Sequence, residues 1–152
     1  MAGTIIIGLG NPILSDDSVG IKAARRLKEV LKNRTDVEVV EVYAGGLRLM
    51  DALVGYTKAV IIDAMQTGRP PGTVRKFTVA DLPKTRNLTS THDVDLPTAL
   101  MLARTTGQHV PDEIVIYGIE AGDVATFSES LTPDVERAVS AVVELAMQNV
   151  SS

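Results

Sequence analysis

Cysteine is absent from the 152 residues. That omission removes disulfides, thiolate metal ligands and cysteine nucleophiles together. Tryptophan is absent too, and aromatic residues make up only 3% of the chain. A core must then be built from Val, Ile, Leu, Ala and Met, which suits a parallel sheet covered by helices better than a sandwich or a barrel. No apolar run nears the roughly 20 residues that cross a bilayer. The opening MAGTIIIGLG has neither the basic region nor the cleavage pattern of a signal peptide. The expected location is the cytoplasm, with no membrane partner. Nor is there a basic surplus: 15 Lys+Arg stand against 19 Asp+Glu, a net charge of −4. Composition therefore gives no footprint for nucleic acid. A G-x-S-x-G elbow is also missing, which argues against a covalent acyl-enzyme.

The residues that are present alternate between buried-strand and helix patterns. Thr4 to Ile7 is a β-branched run ending at Gly8-Leu9-Gly10, which predicts a buried first strand. Apolar residues then recur at Val19, Ala23, Ala24, Leu27, Val30 and Leu31 with helical spacing. Strands are expected at 37–42, 58–62, 73–79 and 113–119, and helices at 47–54, 94–105 and from Pro133 to about Met147. The segment from Asp81 to His92 is polar and reads as irregular. The connection after the third strand is too short for a helical crossover, so the fourth strand is expected to run antiparallel. The pattern predicts one domain over residues 1–152, an α/β fold in a three-layer α/β/α sandwich. Its five-stranded sheet is mostly parallel, with one antiparallel strand.

In an open α/β sheet, ligands gather at the carboxyl ends of the parallel strands. Asp16 and Asp17 follow the glycine turn, Asp63 follows the run KAVII, and His92 ends the polar loop. Gly45-Gly46 follows the second strand on the same edge. Each has a plainer reading. Asp16 and Asp17 are well placed to cap the first helix. Asp63 suits a turn, and a lone histidine such as His92 is often structural. His109, in a Gly-Gln-His-Val-Pro loop, reads as surface. Together, two carboxylates and an imidazole suit a borderline divalent metal such as nickel, zinc or manganese, with coordination positions left open. Dinucleotide binding competes for Gly8-x-Gly10, with Glu41 as a ribose ligand. However, the third glycine of that fingerprint would fall at Ile13, and the acids that follow would repel a pyrophosphate.

The run Gly8-Leu9-Gly10-Asn11-Pro12 to Asp16-Asp17-Ser18-Val19-Gly20 resembles the N-terminal signature of nickel–iron hydrogenase maturation endopeptidases, G-x-G-N-x-x-x-x-D-[DE]-x-x-G. Val60-Ile61-Ile62-Asp63-Ala64 resembles the second acidic site of that family, Ser90-Thr91-His92 its histidine site, and Leu131-Thr132-Pro133-Asp134-Val135 the lead into its last helix. The resemblance spans nearly the whole chain in order. It implies a phosphorylase/hydrolase-like α/β/α fold and a protease that removes a C-terminal extension from the large-subunit precursor of a hydrogenase after nickel insertion. Asp17, Asp63 and His92 then match the three metal-contacting positions and carry the catalytic role. The nickel is supplied by the precursor, and no organic cofactor is needed. Since a metal-bound imidazole must be neutral, processing should fall as pH drops through the histidine titration.

Two departures stand out. Many members carry Glu where this chain has Asp17, one methylene shorter. Many also place Asp before the glycine pair, where this chain has Ala44. A non-catalytic, metal-sensing chaperone for a hydrogenase subunit would use the same residues. Peptidyl-tRNA hydrolases also open with a strand and G-L-G-N-P, but the Tyr and Thr-Arg-His-Asn segment of that family is replaced here by acids.

Overall fold

Three apolar runs form the middle of one sheet. In the computed structural model, which describes residues 3–43, 47–81, 83–89 and 95–150, the five-stranded sheet has the order β2 (Val37–Val42), β1 (Thr4–Leu9), β3 (Lys58–Met65), β5 (Glu113–Glu120), β4 (Val74–Thr78). All pairings are parallel except β4 with β5. The short connection from β3 carries β4 back antiparallel, as expected, and β5 enters between them. The near-continuous apolar character of β1, β3 and β5 follows from burial on both faces.

Alternation along the strands feeds two separate cores. Ile6, Val60 and Ile62 pack with Val19, Ala23 and Leu27 of α1 (Val19–Val30) and Val135, Val139 and Val142 of α5 (Pro133–Gln148). Ile5, Ile7, Ala59 and Ile61 face the other way, onto Leu49 and Leu53 of α2 (Leu47–Leu53) and Leu100 and Ala103 of α4 (Leu96–Thr105). The result is the expected three layers. A short helix, α3 (Arg86–Thr89), lies against β3.

The glycine signature is a packing device. A Cβ on Gly20 would lie 2.3 Å from the Ile62 carbonyl oxygen and 2.5 Å from that of Leu9, and one on Gly8 would lie 2.2 Å from the Gly20 oxygen. The first turn of α1 therefore sits directly on β1 and β3. Gly10, at φ +152°, completes the approach, since a Cβ there would meet the Asp17 carbonyl at 2.2 Å.

Several expectations are corrected. Asp63 is not a residue after the strand: β3 runs on to Met65, because β5 continues beside it and pairs Asp63 with Gly118 and Met65 with Glu120. The segment from Asp81 to His92 is not irregular throughout, since it contains α3. α4 starts at Leu96, where Asp95 caps it by accepting from the Thr98 N–H. Val30, placed by spacing on the buried face, is 56% exposed. Gly45, Gly46 and His92 lie outside the described residues.

Candidate functional site at the carboxyl edge of the sheet

The adjacent acids Asp16 and Asp17 occupy a 3-10 turn, Ser15–Ser18, that feeds α1. Neither caps a helix. The residue flanking α1 is Ser18, which makes no side-chain cap, and both carboxylates reach across the fold instead.

Asp16 is fully buried. Its carboxylate accepts from the N–H groups of Gly122, Asp123 and Thr132 and from the Thr132 hydroxyl, all at 2.7–2.8 Å. Thr132 stands at the start of α5, as expected, but its hydroxyl serves Asp16 and not the helix end. Asp16 is thus a clamp that ties the loop after β5, and the entry to α5, to the α1 turn. Ser15 reinforces it. At φ 43° it is the one non-glycine residue at positive φ among those described, and its N–H donates to the Ser128 carbonyl.

Asp17 and Asp63 converge. The Asn87 side-chain nitrogen donates to Asp17 Oδ1 at 3.1 Å and to Asp63 Oδ1 at 2.7 Å, so one atom spans both carboxylates. Asp63 also accepts from its neighbour Ala64 N–H and, at 2.6 Å, from the Asn87 N–H. Asp17 accepts from the Asn11 N–H at 3.1 Å and from Arg86 Nε at 2.9 Å. The pair is nearly dry: Asp63 has no exposure and Asp17 has 3%. Burial pushes the Asp63 carboxyl up to about 6, and the charge of Asp17 adds to this. The hydrogen bonds from Asn87 oppose it.

The surrounding loop is fixed by a fourth buried acid. Glu120 accepts from the N–H and hydroxyl of Thr67, and the adjacent Gln66 accepts from Arg86 Nη1 at 2.8 Å. On the segment that leads into the Asp16-Asp17 turn, Ile13 is 50% exposed, and Phe127 is 81% exposed. They lie on segments joined through the Leu14–Ser128 bridge.

Of the expected trio, Asp17 and Asp63 are brought together through Asn87. The third, His92, is outside the described residues, and among those described no group of three His, Cys, Asp or Glu side chains could hold a metal. His109 is an exposed loop residue, as expected. A groove of about 360 Å³ lined by Val79, Pro97, Leu100, Arg104 and Ile114 opens at the amino end of β5, away from the acids. Sequence reasoning missed Arg86 and Asn87. The available signal was the rule that buried carboxylates need donors, which points to a cation or amide in the polar segment before His92.

An open α/β/α sheet with a buried acid pair at its carboxyl edge defines a class of small α/β proteins whose ligand site lies at that edge. Residues 21–149 match the hydrogenase maturation protease family (HycI), and the chain belongs to that family. It is 23% identical over 146 residues to the hydrogenase expression/formation protein HupD of Thiocapsa roseopersicina. That alignment covers 95% of this chain and 66% of the relative, so the chain spans about two thirds of the length of HupD. The hydrogenase maturating endopeptidase HybD from E. coli superposes with a TM-score of 0.74 at 22% identity, covering 99% of this chain and 92% of that one. The [NiFe] hydrogenase maturation protease HybD from Thermococcus kodakarensis gives 0.70 at 26% identity, covering 99% and 100%. The family sets aside the dinucleotide and peptidyl-tRNA hydrolase readings. Among the described residues no helix is long and apolar enough to cross a membrane.

Proposed function

We propose that this protein is an endopeptidase that removes the C-terminal extension of a nickel–iron hydrogenase large-subunit precursor after nickel insertion, with Asp17, Asp63 and His92 contacting the inserted metal. The observation that carries this reading is the convergence of Asp17 and Asp63 on a single Asn87 nitrogen. Two carboxylates so close form a hard, anionic pair suited to a divalent ion. Nickel here belongs to the substrate and is sensed, not stored. Three side chains without a thiolate should hold free nickel weakly. The reaction takes place in the cytoplasm, where the precursor is assembled.

Hydrolysis needs a base to take a proton from the attacking water. Burial makes Asp63 more basic than an ordinary aspartate before the metal arrives, and the carboxylate oxygen that it does not give to the metal suits that role. The exposed Ile13 and Phe127, on segments joined through the Leu14–Ser128 bridge, offer apolar contact to a docked precursor.

Incubation of the protein with nickel-loaded precursor, read by mass spectrometry, tests the proposal. The expected product is shortened by its C-terminal extension. Nickel-free precursor should stay intact, and Asp17→Asn, Asp63→Asn and His92→Ala should each lower cleavage at least about a hundredfold. Tight binding of the precursor without any change in its mass would leave a metal-sensing chaperone in place of a protease.

A further inference from the structure

Two buried carboxylates side by side repel each other and need positive partners. The donors come from one place, a cation for Asp17 and neutral amide groups for both acids. Arg86 Nε donates to Asp17 Oδ1 at 2.9 Å, the Asn87 amide donates to both acids, and the Asn87 N–H donates to Asp63 Oδ2. These donors are consecutive residues of α3, a helix of four residues. A helix that short has no stability of its own and depends on such contacts. The Arg86 side chain is 30% exposed, so it has a path to solvent, whereas the carboxylate it pairs with is 4% exposed.

We propose that Arg86 and Asn87 form a displaceable plug, in which the guanidinium stands in for a metal cation at Asp17 and keeps free divalent ions off the Asp17–Asp63 pair. The proposal rests on the reading of that pair as metal-contacting. A guanidinium is permanently charged and weakly hydrated, so it holds a nearly dry carboxylate without a large dehydration cost. A free divalent ion would have to shed water, displace Asn87 from both acids and approach a fixed positive charge. A metal carried by a docked precursor differs. A docked precursor brings protein groups of its own beside the metal, which compete for Arg86 and Asn87, so Arg86 can leave as the metal arrives. The plug thus makes the site selective for metal in its protein setting over metal in solution, a discrimination by exclusion.

The test uses the full-length protein and nickel chloride alone, with affinity read by calorimetry and by the nickel-dependent shift in melting temperature. Arg86→Gln and Arg86→Met should bind nickel at least about tenfold more tightly than the wild type, because a positive charge beside the site is gone. Arg86→Lys should stay weak. Adding Asp17→Asn to Arg86→Met should erase the gain, which places the captured ion on Asp17. Arg86 variants that fold and bind nickel no more tightly than the wild type overturn the plug. Variants that remain unfolded even with nickel present also overturn it, and make Arg86 a structural tie. Cleavage of precursor is scored separately. A wild type that cleaves normally beside variants with unchanged nickel affinity sinks the plug alone. Tighter nickel binding in the variants beside a wild type that never cleaves supports the plug and sinks the processing role.

Discussion

At the residue scale, neighbouring aspartates have opposite tasks. Asp16 holds structure and Asp17 faces Asp63 through Asn87, although the two differ in sequence only by one position. Asp16→Ala leaves the N–H groups of Gly122, Asp123 and Thr132 without their acceptor. Buried donors left unpaired are costly, so denaturant unfolding should show a loss of about 3–5 kcal/mol. Asp63 gives a pH signature. Burial holds its native carboxyl up at about 6, against an ordinary value of 3.8. Between those values the native state holds a proton that the unfolded chain has lost, so this group favours folding below about pH 4, and the benefit is lost as pH rises through about 6. Unfolding free energies of the wild type minus those of Asp63→Asn should therefore fall by about 2 kcal/mol from pH 4 to 7. A flat difference across that range would mean that Asp63 is not held high in the folded state.

At the scale of elements, the close seat of α1 decides the site. A methyl group on Gly20 would strike backbone oxygens of Ile62 and Leu9, atoms that cannot rotate away. Gly20→Ala should therefore cost about 3 kcal/mol or more and shift Asp17 from Asp63. Gly55→Ala meets nothing within 4 Å, although its φ is +98°; there only backbone strain of about 1 kcal/mol is expected. Thermal melts of the two variants make the comparison. The same elements mark how far sequence reading reaches. KAVII and EIVIYGI announce buried strands because burial on both faces leaves only apolar residues. The last three residues of β3 are not legible, since Asp63, Ala64 and Met65 are ordered by pairing with β5, a partner roughly fifty positions away. α3 is too short for any periodicity to appear. Asp16 reads locally as a cap because its true partners are distant in the chain. Asp17 and Asp63 were found as strand-edge acids, but the choice of Arg86 and Asn87 as their donors is a tertiary event without a local pattern.

At the scale of the whole molecule, the two faces of the sheet have separate cores, while the carboxyl edge draws on almost every part of the chain. Asp16 takes its bonds from residues 106 to 116 positions away, and Asp17 is paired across 69. Contacts of such separation close late, after the loops they span have already been restrained by nearer ones. The acid site is consequently complete only once residues from the first turn to the entry of α5 are all in place. A chain still emerging from synthesis has both acids but neither the clamp nor the donors that bring them together. Its future site is still scattered along an unfinished backbone.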